Sequence, residues 1–105
     1  MKHYRIVITP TAREGLLDIG EYIALDNPTR AITFIDEITD SLQKNLSIFP
    51  YSGKVADDIE VDQEIRMWSH GNYISYYRVV EEKQLVEVLY VFNTSRDMQS
   101  LIMKL

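Results

Sequence analysis

The chain has no cysteine. That excludes a disulfide framework, thiolate metal sites, iron–sulfur clusters and thiol nucleophiles, and it fits a reducing compartment. Histidine is almost as scarce. His3 and His70 stand far apart in sequence, so no imidazole pair with metal-ligand spacing exists and neither a metal nor a cofactor is expected. The four glycines and three prolines sit singly at punctuation points, with no repeat, linker or low-complexity tract between them. No apolar run approaches the roughly 20 residues that cross a bilayer. The opening run Ile6-Val7-Ile8 ends at Thr9-Pro10, short of the about 7–15 apolar residues of a secretory leader. A soluble, cytoplasmic protein with no membrane partner is expected. Positive charge is also short, with 11 Lys and Arg against 16 Asp and Glu and a net charge of −5. That balance argues against direct nucleic-acid binding, although the acids crowd at Asp57, Asp58, Glu60, Asp62 and Glu64 and leave room for a local basic patch.

What is present is one domain, residues 1–105, with 46% hydrophobic residues and enough length to bury a core unaided. His3 to Ile8 reads as a strand with Tyr4, Ile6 and Ile8 on one face. A helix follows, started either by Thr9 with Pro10 in the first turn or by a capping box of Thr11 and Glu14. Its apolar stripe is Ala12, Leu16, Ile19 and Ile23. Asn27-Pro28 restarts the pattern, and Ala31, Phe34, Ile35, Ile38, Leu42 and Leu46 form the apolar side of a second helix. So short a connection predicts an antiparallel helical hairpin that needs a sheet to cover. Pro50 to Glu64 reads as an irregular connector. Ile65–Trp68, Tyr73–Val80 and Leu85–Phe92 read as three antiparallel strands joined by four-residue loops. Val86, Val88, Tyr90 and Phe92 alternate with Leu85, Glu87, Leu89 and Val91 in the last of them, which marks a central strand. Arg96 to Met103 is predicted as a short final helix. The fold class is therefore α+β: N-terminal strand, helical hairpin, three-stranded meander, short C-terminal helix, with one sheet face partly open.

No Gly-rich phosphate loop, His-x-x-x-His pair or nucleophile elbow is present. The run Asp57 to Glu64 alternates like a calcium loop but lacks its central glycine and bidentate glutamate, so it reads as a solvated edge. His70 reads as a turn residue, or alternatively as a proton-transfer group. Arg66, Arg78 and Arg96 fall on or just after strands, among Tyr73, Tyr76, Tyr77, Tyr90 and Trp68. Arginine interleaved with aromatic rings suits an interface or an RNA-stacking surface, while the plain alternative places most of these rings in the core. Arg96-Asp97 sits at the end of the sheet, as an internal pair or as a group shown to a partner.

Tyr4-Arg5-Ile6-Val7-Ile8-Thr9-Pro10-Thr11-Ala12 with Leu16, Leu17 and Ile19 resembles the opening of the ParE/RelE toxins of bacterial type II toxin–antitoxin (plasmid stabilisation) modules. Tyr22-Ile23, Asn27-Pro28, Ala31 and Phe34-Ile35 continue the likeness, as do Phe49-Pro50-Tyr51-Ser52-Gly53-Lys54 and Glu64-Ile65-Arg66. Tyr73-x-x-Tyr76-Tyr77-Arg78-Val79 and Val88-Leu89-Tyr90-Val91-Phe92 with Ser95-Arg96-Asp97 complete it. The resemblance spans nearly the whole chain and implies a toxin neutralised by a cognate antitoxin. RelE-like members cleave mRNA on the ribosome, whereas ParE-like members bind and block DNA gyrase without cleaving RNA. Residues 96–105 hold neither Tyr nor His, and Asn93-Thr94 stands where RNA-cleaving relatives carry basic residues, which sets the chain apart from the nuclease pattern. Ser95-Arg96-Asp97 looks more like ParE, although Asn93 stands where many ParE-like sequences have His. The expectation is a gyrase-binding, non-catalytic toxin with Arg66, Arg78, Arg96 and Asp97 as its target surface. An mRNA endoribonuclease and a non-toxic module of the same fold are the alternatives, and a homodimer is left open.

Overall fold

The computed structural model describes residues 3–56 and 63–94. The elements are β1 (Arg5–Ile8), α1 (Pro10–Ala24), α2 (Pro28–Leu46), β2 (Lys54–Val55), β3 (Arg66–His70), β4 (Tyr73–Val80) and β5 (Leu85–Asn93). The expected final helix from Arg96 and the acidic run from Asp57 to Asp62 lie outside the described residues.

Both helices start where the capping chemistry places them. Thr9 Oγ1 accepts from the Ala12 N–H at 3.2 Å with Pro10 in the first turn, so the Thr9 start holds and the Thr11–Glu14 box does not. Asn27 Oδ1 accepts from the Arg30 N–H at 3.0 Å ahead of Pro28. The buried faces are the predicted ones: Ala12, Leu16 and Ile19 on α1, and Ala31, Phe34, Ile38, Leu42 and Leu46 on α2. Each large side chain buried here is worth about 1.5–3 kcal/mol. Together with Tyr77, Val86, Val88 and Val91 they make one core between the helical hairpin and the sheet.

The sheet has five strands in the order β1-β5-β4-β3-β2. β1 runs parallel to β5, Ile6 beside Val86 and Ile8 beside Val88, while the other neighbours are antiparallel. Three features differ from the sequence expectation. The connector after α2 is not wholly irregular, because Lys54–Val55 pairs with Met67 and Arg66 as an edge strand. The β3–β4 loop has two residues, not four; Gly71 adopts φ +60°, the left-handed backbone that a tight hairpin asks of glycine. A bulge at Leu89 lets Tyr76 oppose Tyr90 while Tyr77 opposes Val88. The even-numbered face expected for β5 is therefore split. Val86, Val88 and Val91 face the helices, and Tyr90 and Phe92 turn to the other side. Thr9 secures the bulge, its N–H donating to Val88 O at 3.1 Å and its hydroxyl to Leu89 O at 3.3 Å.

α1 approaches β5 closely beside this bulge. A methyl group at Gly15 would lie 2.6 Å from the Val91 carbonyl oxygen, whereas one at Gly20 would meet only the Ile35 Cδ1 at 3.0 Å. A strand carbonyl cannot move aside; the tip of an isoleucine can. Gly15→Ala is expected to lower stability by about 1–3 kcal/mol through overpacking. Gly20→Ala is expected to cost less or to stabilise, since alanine regains about 1 kcal/mol of helix propensity. Urea midpoints of the two variants check the ordering.

Candidate functional site

Cross-strand neighbours share a face of a sheet. Arg66 opposes Tyr77, and Trp68 opposes Ser75, so Arg66 and Trp68 lie on the helix side with the buried Tyr77. The Trp68 indole donates to Ser41 Oγ on α2 at 3.1 Å, and the Tyr73 ring packs 4.4 Å from that of Phe34. Arg78 opposes Glu87 and shares its face with Ile74 and Tyr76, away from the helices. The two sheet arginines expected to form one surface thus stand on opposite sides of the sheet. Arg96 and Asp97 lie outside the described residues. The aromatic set divides in the same way. Trp68, Tyr73 and Tyr77 belong to the core, as the plain reading had it. Tyr76 and Tyr90 gather around Phe92 on the far face, at ring-centroid distances of 5.5 and 6.1 Å from it.

Neither arginine is bare. Arg66 donates through Nε and Nη2 to Glu64 Oε1 at 3.0 and 2.7 Å, and through Nη1 to the carbonyls of Tyr51 and Gly53 at 2.9 and 2.8 Å. Its guanidinium also lies 5.2 Å from the centre of the Tyr51 ring, a cation–π contact. The side chain is only 17% exposed, and its fork of donors is spent inside the molecule. Arg66 therefore braces the connector between α2 and β2. Arg78 is 33% exposed; its Nε donates to Glu87 at 2.7 Å and its Nη1 to Gln63. With Ile65 and Leu89 these three line a shallow hollow of about 280 Å³ on the face away from the helices.

The connector itself carries a network that sequence reasoning missed. The buried Tyr77 hydroxyl donates to Pro50 O at 2.7 Å and accepts from the Gly53 N–H at 2.9 Å. Any Cβ at Gly53 would strike that hydroxyl and sit 2.5 Å from Met67 O. The Tyr4 and Tyr51 hydroxyls both donate to Glu81, Tyr4 at 2.5 Å, tying the N-terminus and the connector to the β4–β5 turn. Donation to this carboxylate is the main reason the Tyr51 phenol is pushed up to about 12 and that of Tyr4 is raised, with burial and the negative charge of Glu81 adding to it. The Tyr77 phenol is raised chiefly by burial. Only the spacing Pro50-x-x-Gly53, already part of the family likeness, hinted that this segment is fixed.

His70 shares the helix-side face with Arg66 but lies four residues further along β3, about 13 Å away at strand rise. His3 is exposed ahead of β1. Among the described residues no group of His, Asp and Glu is arranged to hold a metal, and no helix is long and apolar enough to cross a membrane.

A two-layer sandwich of this order, with a braced connector and an arginine–aromatic sheet face, defines a small α+β domain. Residues 6–98 match the family of ParE toxins of type II toxin–antitoxin systems (parDE), and the chain belongs to that family. No curated protein sequence matches it significantly. Solved structures that share its fold include three toxin–antitoxin systems. The RelBE2 toxin–antitoxin complex of Mycobacterium tuberculosis is 22% identical, with 89% of this chain and 93% of that chain covered and a TM-score of 0.61. The chromosomal ParDE system of P. aeruginosa is 19% identical, over 87% and 96%, at 0.68. The archaeal RelE–RelB complex of Pyrococcus horikoshii is 16% identical, over 90% and 98%, at 0.53.

Two measurements check the connector network. Tyr77→Phe leaves Pro50 O without its donor and the Gly53 N–H without its acceptor, and is expected to cost about 1–3 kcal/mol in urea unfolding. Because the folded Tyr51 phenol ionises above the unfolded value, its contribution is fully present below about pH 10 and lost as pH rises through about 12. A tyrosinate absorbance titration is expected to show this late-ionising phenol in the native chain and its return toward pH 10 in Glu81→Gln.

Proposed function

We propose that this chain is the toxin of a ParDE-like pair, that it acts by binding and inhibiting DNA gyrase, and that a cognate antitoxin holds it inactive in the cytoplasm. The observation that carries this reading is the separation of the candidate cleavage groups. Cleaving a phosphodiester needs a proton acceptor, a proton donor and cations converging on one phosphate. Here Arg66 is consumed by Glu64 and the connector, Arg78 lies through the sheet from it, and His70 is a strand's length away. The net charge of −5 further disfavours docking on ribosomal RNA. Membership of the ParE family supports the same choice.

On this reading the target-facing surface is the side of the sheet turned from the helices. It comprises Arg78 in its hollow and the half-buried Tyr76 and Tyr90 rings that pack on the buried Phe92; Arg96 and Asp97, which lie outside the described residues, are assigned to target binding by the family likeness alone. Arg66 serves as a positioning residue for the connector. Three of its fold neighbours are toxin–antitoxin systems or complexes, which supports an antitoxin partner here. A disordered antitoxin segment that folds on contact would cover such a surface.

Purified gyrase incubated with an excess of the chain is expected to lose supercoiling activity. Arg96→Ala with Asp97→Ala is expected to weaken that inhibition about tenfold or more, with the unfolding midpoint measured alongside to separate lost target contact from lost stability. Undiminished supercoiling, together with in-frame mRNA cuts on translating ribosomes, would replace this reading with the endoribonuclease.

A further inference from the structure

Strand register gives the sheet face turned from the helices an ordered charge pattern. Arg5 on β1 lies beside Leu85, which opposes Val80 on β4. Two residues along, Val7, Glu87 and Arg78 form the next row. Two further along, Tyr76, Met67 and Lys54 form the row after it, across β4, β3 and β2. Neighbours in a row, and alternate residues along a strand, share a face. Ile6 and Ile8 pack on the core, so Arg5 takes the other side with Arg78 and Lys54. In the order β1-β5-β4-β3-β2, the step from Arg5 to Arg78 and the step from Arg78 to Lys54 each cross two strands and one row. At about 4.8 Å between strands and about 6.7 Å per two residues, the three cations stand on one diagonal about 12 Å apart.

Little opposes them. Glu87 is the one carboxylate that the five strands hold, and it accepts from Arg78 at 2.7 Å. Arg78 spends Nε on Glu87 and Nη1 on Gln63, and its Nη2 has no partner among the described residues. Arg5 and Lys54 are exposed, with no carboxylate at ion-pair distance among the described residues. At the β4–β5 turn, Glu81 is held by the Tyr4 and Tyr51 hydroxyls, and Glu82 and Lys83 offset one another. The helical layer has the opposite sign, since residues 10–46 hold seven carboxylates against three cations. A chain of net charge −5 thus keeps one positive face.

Spacing decides what that face fits. Duplex nucleic acid carries a charge about every 1.7 Å, and three cations about 12 Å apart leave most of those unmatched. The hollow beside Arg78, about 280 Å³, falls below the roughly 300–1,000 Å³ of small-molecule sites and admits a side chain. An extended peptide advances about 13 Å in four residues, and residues four apart point the same way. Carboxylates at that interval reach successive cations of the diagonal, while Tyr76 and Met67 lie under the residues between Arg78 and Lys54.

We propose, resting on the reading that this face meets the target, that it binds an extended acidic segment of a partner protein, whose carboxylates at four-residue intervals pair with Arg5, Arg78 and Lys54. Arg78 takes its carboxylate on the unused Nη2 and keeps its bond to Glu87. The other two cations supply the direction in which the segment lies.

The test titrates the isotopically labelled full chain with a synthetic peptide of about 13 residues, glutamate at every fourth position and serine or glycine between. One control peptide has the same composition with its glutamates consecutive, and another has lysine for each glutamate. The spaced glutamate peptide is expected to shift amides of β1, β2 and β4, to bind more tightly than the consecutive one, and to weaken as salt rises from about 50 to about 300 mM. Arg5→Glu with Lys54→Glu is expected to weaken it about tenfold or more and to favour the lysine peptide; Arg5→Gln with Lys54→Gln is expected to fall between. Both positions are exposed, so the unfolding midpoint is expected to hold in both variants. No binding, equal binding by the charge-reversed chain, or shifts confined to the helices would overturn the proposal. So would tighter binding of a single-stranded oligonucleotide, or self-association that Arg5→Glu with Lys54→Glu abolishes, which assigns the face to a second copy. Gyrase supercoiling read in parallel separates the two readings. Supercoiling unaffected by a chain that still takes the peptide sinks gyrase as the target and supports the acidic-segment site. Inhibition that persists in the charge-reversed chain, with no peptide binding to either chain, sinks the site alone.

Discussion

The close approach of α1 to β5 at Gly15 is the contact on which the other features turn. It lets a helix lie against a strand carbonyl with no side chain between them, and it happens beside the bulge at Leu89. Thr9 closes the same spot, capping α1 with one lone pair and donating to the bulged carbonyl with its hydrogen. The bulge then fixes which rings go where. Without the extra residue, Tyr90 and Phe92 would continue the face of Val86 and Val88 and crowd under the helices. With it, Val91 takes the core position, and the two rings join Tyr76 on the far side. One backbone irregularity thus fills the core with small aliphatic groups and gives the opposite face its aromatic character.

The arginines obey a second constraint. A guanidinium taken partly out of water needs a carboxylate or a set of carbonyls, since removing the partner leaves a charge that the interior solvates poorly. Arg66 meets this with Glu64 and two connector carbonyls, and Arg78 with Glu87 and Gln63. The difference between them is in what each holds. Arg66 grips backbone that Tyr77 also grips, so its loss would loosen a segment. Arg78 grips side chains across a strand pair, at the wall of an open hollow, and a partner's carboxylate could share its fork without disturbing the fold.

Much of this was legible in the chain. The helix starts, their buried faces and the hairpin between them follow from local chemistry: an oxygen-bearing cap, a proline in the first turn, and apolar spacing of three and four. The separation of Arg66 from Arg78 was legible too, by parity. In β3 and β4, partners carry one odd and one even number whether the loop has two residues or four, so two even-numbered arginines face opposite ways. What could not be read was non-local. Nothing in Arg5–Ile8 says that it runs parallel to Leu85–Val88, nothing in a continuous apolar strand marks where a bulge falls, and no periodicity links Tyr4, Tyr51 and Glu81, which are far apart in sequence. Lys54–Val55 is too short to signal a strand without its partner.

The layering also bears on how such a toxin is controlled. The hairpin covers one face of the sheet, so whatever binds its outer surface stands on the opposite side of the molecule from Arg78 and the Tyr76–Phe92–Tyr90 rings. Occupying that surface does not by itself block the far face. If the far face is the target site, a partner that neutralises by obstruction has to reach past one of the sheet's two edges, which β1 and β2 keep short. A partner held only at the hairpin would tether the domain and leave its far face available. Solved structures at 16–22% identity share this fold, and a fold by itself fixes neither target nor guardian.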